Sequence, residues 1–249
     1  MILTLLQARM HSTRLPEKVL MPILGKPMLY YQIERVRRAK LIDKLIVATS
    51  TDDSDDRIEQ FCDEEKVSCF RGSMNNVLDR FYQAARTYKP DHIIRLTGDC
   101  PLIDPVIIDG LVNFHLKDDF DYSSNTAPYR IWNHSDYSKS SFDYSKNTAG
   151  YFSPNGLNAE IFRMKCLHDA WNEAQLDLDK EHVTRFIYHR PERYRLGAYK
   201  QKQDLSMHQW AVDEQHEFEL IKRIYMALYS TNPKFTTDDV LNYLNTCDA

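Results

Sequence analysis

The chain has 249 residues, 43% hydrophobic and 27% charged, with 32 Lys+Arg against 36 Asp+Glu, an ordinary globular balance that suits one large domain with a buried core. A formal charge of −4 provides no basic footprint for nucleic acid. No apolar run reaches the roughly 18 residues of a membrane span, and the start MILTLLQARM has neither the basic region nor the apolar length of a signal peptide.

In chain order, residues 2–6 read as a first strand, and 45–48 and 92–97 as two more. Helical stripes lie between and after them. Leu29, Ile33 and Val36 follow Pro27, a residue pre-set for a helix's first turn. Leu78, Phe81, Tyr82 and Ala85 form a second stripe. Pro105 opens a third through Ile107, Ile108, Leu111 and Val112. Strand–helix alternation in units of this size predicts an α/β fold with a mostly parallel sheet and helices on both faces. Ligands of such sheets sit beyond the carboxyl ends of the strands.

Residues 125–154 are rich in Ser, Asn, Asp and Tyr and repeat the tetrapeptide DYSK at 136–139 and 143–146. They read as a long surface loop, or more sharply as a lid or dimerisation arm. Helices are expected at 165–174 and 181–189, and strands at 194–199 and 209–212. A stripe of Phe218, Ile221, Ile224, Tyr225 and Leu228 and a last helix after Thr237 follow. No Pro/Gly/Ser-rich linker divides the chain, so residues 1–249 are expected to form a single domain. The 5 cysteines, odd in number and without a C-x-x-C pair, argue against a disulfide framework or a structural zinc site. The cytoplasm is the expected location.

Three strand ends carry candidate chemistry. After the first strand, Arg9, Arg14 and Lys18, with Ser12 and Thr13 between them, supply what polyphosphate demands: guanidinium forks, a point charge and hydroxyl donors. The loop matches neither the Walker pattern nor the G-x-G-x-x-G fingerprint. After 92–97 comes Gly98-Asp99, a carboxylate at the sheet edge beside a glycine that leaves room for a ligand or permits positive φ. Mg²⁺ is held by one or two carboxylates together with substrate phosphates. Asp104 before Pro105 is better explained as a helix cap. Asp213, ending Trp210-Ala211-Val212-Asp213, is either a cap of the following helix or a second metal ligand. Together these are the parts of a Mg–nucleotide site on one sheet edge.

In this order the motifs ARMHSTRLPEKVL, RGSMNNVLDRF, IIRLTGDCPLIDP, SPNGLNAEIF, EHVT and WAVDEQHEFE resemble the spore-coat-polysaccharide (SpsF-like) cytidylyltransferases. That group is similar to the enzymes that activate 3-deoxy-manno-octulosonate and acylneuraminate with CTP. The resemblance covers most of residues 1–120 and resumes at about 153–229. It implies a three-layer, Rossmann-like nucleotidyltransferase fold of the glycosyltransferase-A type, Mg²⁺ as cofactor, CTP and a sugar or sugar acid as substrates, and a homodimer. By residue it implies that Arg9 and Lys18 hold the triphosphate, with Ala8, Ser12, Thr13, Arg14 and Gly98 shaping the nucleotide loop. Arg71 and Ser73 are expected near base and ribose, with Asp79 and Arg80 nearby. Asp99 and Asp213 are expected to bind Mg²⁺, and Asn158, Glu160 and His182 to flank the sugar acceptor. His11 and Glu17 stand where the family carries glycine, which would put a Cβ, and at Glu17 a negative charge, beside the phosphate path.

Two other classes share some of these features. A glycosyltransferase of the same fold would use a D-x-D metal motif, a pattern that Asp53-Ser54-Asp55 fits, although this segment reads better as a helix start. A quiet nucleotide- or sugar-binding protein would carry the loop without turnover.

Overall fold

Leu3 and Leu5 pack under one layer of helices and Leu6 under the other, so the first strand is buried on both faces, as the central strand of an α/β sheet must be. The computed structural model describes residues 1–126 and 153–247. The expected loop at 125–154, including both DYSK copies, therefore lies almost wholly outside the described residues.

Strand β1 (Ile2–Gln7) leads through a 3₁₀ turn (Lys18–Leu20) and the short hairpin β2 (Pro22–Ile23) and β3 (Lys26–Pro27) into α1 (Met28–Val36). Then come β4 (Lys44–Ser50), α2 (Asp56–Glu64), β5 (Ser68–Gly72) and α3 (Val77–Arg86). They are followed by β6 (His92–Thr97), α4 (Pro105–Lys117) and β7 (Tyr122–Ser124). The later chain adds β8 (Glu160–Arg163), α5 (Met164–Glu173), α6 (Asp177–His182) and α7 (Arg185–Tyr188). It ends with β9 (Leu196–Ala198), α8 (Gln215–Leu228) and α9 (Thr237–Cys247).

The main sheet has 7 strands in the order β5-β4-β1-β6-β8-β7-β9. Only β8 runs against its neighbours. Helices α1, α2 and α4 cover one face, through Ile33, Phe61 and Leu111 among others. Helices α3 and α5, with the 183–188 segment, cover the other through Phe81, Leu167 and Phe186. A third cluster fastens α8 and α9 to the hairpin and α1, around Trp210, Tyr225 and Phe235.

Four expectations for the second half are corrected. The helix expected at 181–189 is two short helices, α6 and α7, broken at Val183, whose φ is 53°. For a β-branched residue that is a strained backbone, and the break turns Thr184 inward. The strand expected at 209–212 is a single bridge between Asn155 and Gln209, and the one at 194–199 shrinks to β9. Asp213 does not cap α8. That cap is Glu214, whose capping box with Glu217 satisfies the helix start.

Candidate active site

The strand ends of β1 and β6 meet through backbone. Gly98 N donates to Gln7 O at 2.8 Å, and an added Cβ at Gly98 would sit 2.9 Å from that oxygen. Glycine is required here by close packing on β1. It makes no room for a ligand, and Gly98 is not among the positive-φ glycines. The loop after β1 is then pinned from the other side: Met10 N donates to Asp55 Oδ1 at 2.7 Å. Asp55 is 1% exposed and also accepts from the Ser50 N–H and hydroxyl. The D-x-D reading ends there, because Asp55 is enclosed and fully used by the loop it holds.

Lys18 is the centre of the site. Its side chain is 10% exposed, and Nζ lies 3.0 Å from Asp213 Oδ1 and 3.8 Å from Asp99 Oδ2, while donating to Val212 O at 2.6 Å. Two carboxylates from segments more than a hundred residues apart thus converge on one ammonium. The backbone explains how: Val212 N donates to Asp99 O at 2.8 Å, and Trp210 N and Ala211 N both donate to Asn155 O. Arg14 closes the group from outside, 2.8 Å from Asp213 Oδ2. Asp99 Oδ1 accepts from the Thr97 hydroxyl and, at 3.4 Å, from Cys100 Sγ. Burial, with Asp99 beside it, pushes the Cys100 thiol far up, so it acts as a donor and not as a nucleophile. Among the described residues, Asp99 Oδ2 is left with its long contact to Lys18.

Arg9 is exposed and makes no hydrogen bond or ion pair among the described residues. Thr13 is exposed, and the Ser12 hydroxyl accepts from Leu15 N at 3.4 Å, turning the loop. His11 and Glu17 face away from the carboxylates. His11 Nε2 is 3.5 Å from Asp52, and Glu17 pairs with Arg57 at 2.8 Å. Glu17 adopts φ 62°, the left-handed conformation that glycine adopts without strain.

Several expected ligand residues have protein partners instead. Arg71 donates to the carbonyls of Ser50 and Asp52 and pairs with Asp56 and Glu59, which latches the 50–56 segment. The Ser73 hydroxyl accepts from Asn76 N. Glu160, 9% exposed, pairs with Arg95 and accepts from Tyr122 and Thr184 at 2.6 and 2.7 Å. Burial and then the Glu160 charge hold the Tyr122 hydroxyl well above the usual phenol range, so it remains a donor. Glu160 is a buried strut between β6, β8 and the 183–188 turn. Asn158 bonds to Asn155 at 2.9 Å, and His182 is exposed at the end of α6. What the motifs alone did not reveal is Asp55, whose role depends on Met10 folding back onto it.

No group of three or more His, Cys, Asp or Glu side chains forms a metal cage among the described residues. Two carboxylates gathered around a cation, at a strand edge lined by Arg9 and Arg14, nevertheless fit a hard divalent ion that takes its remaining ligands from phosphate and water.

A family model described as Cytidylyltransferase matches residues 3–235. The chain belongs to the cytidylyltransferase family. The Bacillus subtilis spore coat polysaccharide biosynthesis protein SpsF is 32% identical over 98% of this chain and 94% of its own. A cytidylyltransferase structure from Leptospira borgpetersenii superposes with a TM-score of 0.84 at 27% identity, covering 99% of this chain and 94% of that one. CMP:2-keto-3-deoxy-manno-octonic acid synthetase complexed with CTP gives 0.64 at 18% identity, covering 91% and 98%; this likeness is one of fold. The Lys18–Asp99–Asp213 group lies beyond the carboxyl ends of β1 and β6.

Proposed function

We propose that the protein transfers CMP from CTP to a sugar or sugar-acid hydroxyl, releasing pyrophosphate, in the assembly of a surface polysaccharide. The convergence of Asp99 and Asp213 on Lys18 beside the exposed Arg9 supports this reading most directly. The names of the relatives, SpsF and the octonic acid synthetase bound to CTP, support the nucleotide and the sugar class.

In this mechanism Arg9, Arg14 and Lys18, with Ser12 and Thr13, hold the triphosphate. The acceptor hydroxyl attacks the α-phosphorus in line, and the cations stabilise the charge that gathers on departing pyrophosphate. Asp99 and Asp213 would hold Mg²⁺, whose contribution is Lewis-acid neutralisation of phosphoryl oxygens. Asn158 and His182 are proposed to border the acceptor, with Glu160 keeping that wall in shape. We extend the proposal to a cytoplasmic homodimer, which sedimentation analysis tests. No described helix is long and apolar enough to cross a membrane.

Asp99→Asn is expected to lower CTP-dependent pyrophosphate release by about 100-fold or more, the scale of losing a group that stabilises transition-state charge. Near-wild-type turnover would overturn the assignment. A panel of sugar acids read by the same assay identifies the acceptor.

A further inference from the structure

Strand β5 leaves one thiol within reach of solvent. Of the 4 cysteines with described side chains, Cys62, Cys100 and Cys166 are buried and Cys69 is half-buried. Alternation along β5 turns Phe70 toward α3, while Cys69 and Arg71 face α2. Arg71 fixes the register of strand on helix, since its guanidinium lies 2.9 Å from Glu59 Oε2. Cys62 follows Glu59 by close to one helical turn, and Cys69 precedes Arg71 by one step of the strand's alternation. The chain reverses between helix and strand, so the next rung of the same contact brings Cys62 against Cys69. Val67 N closes the reversal by donating to Cys62 O at 2.9 Å. The two thiols are hydrogen-bonded to each other, Cys62 donating to Cys69.

The pair is asymmetric. The hydrogen bond from Cys62 holds the Cys69 thiol below its ordinary value; Arg71 acts the same way, and burial, Glu59 and Asp63 act against it. Donating that bond, together with burial, pushes the Cys62 thiol up. Burial pushes the Cys100 thiol far up and the Cys166 thiol up to about 12. The thiolate is the reactive form of cysteine. An accessible, more acidic thiol beside a second thiol is the arrangement that oxidants select.

We propose that Cys69 and Cys62 form a peroxide-reactive site, in which Cys69 is oxidised first and Cys62 resolves it as a disulfide between β5 and α2. The co-reactant is a hydroperoxide, hydrogen peroxide being the simplest. The Cys69 thiolate attacks one peroxide oxygen, the S–O bond forms as the O–O bond breaks, and the departing hydroxide takes a proton to become water. Cys62 Sγ then attacks the sulfur of the Cys69 sulfenic acid. The S–S bond forms, the S–O bond breaks, and the Cys62 proton leaves with the hydroxide as a second water. In total two thiols lose two electrons and two protons to one peroxide. The link closes a short loop, 62–69, and is reversible by exchange with an external thiol. The proposal stands apart from the cytidylyl-transfer reading and does not depend on it.

The test treats the folded, full-length protein with hydrogen peroxide and follows it by intact mass and peptide mapping. Trypsin cuts after Arg57, Lys66 and Arg71, so the two cysteines fall on separate peptides, 58–66 and 67–71. The expected product has lost the mass of two hydrogen atoms and joins those peptides, and dithiothreitol restores both. Cys69 is expected to react at least about 10-fold faster than Cys100 or Cys166, because each unit of thiol pKa changes the thiolate fraction tenfold. The linked protein is expected to melt about 4–8 °C higher than the reduced one, from the closed loop. In Cys62→Ala, Cys69 is expected to stop at the sulfenic acid, trapped by dimedone, and to form it more slowly without the Cys62 hydrogen bond. In Cys69→Ala, Cys62 is expected to stay reduced. The wild-type peptide map needs no variant, so it decides the pairing whether or not either variant folds. Peptides 58–66 and 67–71 that stay unlinked overturn the inference, as does Cys69 joined to another cysteine or to a second chain. A link that forms only in urea, or that lowers the melting temperature, also overturns it, because the folded register would then not bring the two sulfurs together.

Discussion

Lys18 is a cation held where two acids need one. Its ammonium keeps Asp99 and Asp213 together, and it is itself fixed by Val212 O. Lys18→Met leaves two carboxylates facing each other at the sheet edge, a loss of about 1–3 kcal/mol from unmet charged hydrogen bonds. A divalent ion then takes over the same role. Thermal melts are expected to show the variant less stable than wild type without metal, and rescued by Mg²⁺ or Mn²⁺ by a larger shift than wild type shows. An equal metal response in both proteins would mean that the two aspartates do not form a cation site. Lys18, Asp99 and Asp213 were legible because charged residues directly after strands of a parallel sheet have one place to go. Arg71 and Glu160 were not, because motif position places a residue near a site without saying which partner it takes. Arg71 found Glu59 and two carbonyls, and Glu160 found Arg95, all choices made by tertiary packing.

At the scale of elements, Asp104 shows how a local signal acquires a distant second use. Its Oδ1 accepts from Val106 N at the start of α4, the cap that the Asp-Pro pair predicts. Its Oδ2 accepts from the N–H and hydroxyl of Thr237 at the start of α9, 133 residues away. One carboxylate therefore serves the N-termini of two helices and helps to seat the cluster around Phe235 and Trp210, from which the Asp213 segment runs. Each lost cap costs about 0.5–2 kcal/mol, so Asp104→Ala is expected to cost about 1–4 kcal/mol in urea unfolding. Asp104→Asn, which keeps one acceptor, should recover part of it. A loss confined to a few tenths would show that α9 docks without this contact. The same contrast runs through the second half of the chain. The stripe from Phe218 to Leu228 placed α8 closely, because a helix's buried face is written in its own spacing. The break at Val183 was invisible, because it answers to Thr184 reaching Glu160 across the sheet.

Across the whole molecule, the sheet joins two regions with different demands. At its carboxyl edge it gathers charge, while on the far side it places a buried and a half-buried histidine against each other. His92 Nδ1 lies 3.1 Å from His115 Nε2, and His115 Nδ1 lies 3.0 Å from the Ser123 hydroxyl, tying β6, α4 and β7 together. Only one proton can sit between the two rings, so the two cannot both be imidazolium. Burial pushes His115 down to about 3, with His92 and Arg163 acting in the same direction and Asp119 against it; burial also lowers His92. Both folded values lie below the unfolded value near 6.5. The unfolded chain therefore binds more protons as pH falls below 6.5, and stability is lost in that direction. The slope reaches at most about 1.4 kcal/mol per pH unit for each histidine. Urea unfolding of the wild type is expected to weaken from about pH 6.5 to about pH 5, above the range where most carboxylates titrate. His115→Gln retains a polar partner for Ser123 but carries no titrating group, so it should flatten that slope while leaving CTP turnover at neutral pH unchanged. A variant whose stability falls with pH as steeply as wild type would place the acid sensitivity outside this pair, where His189 is also lowered by burial.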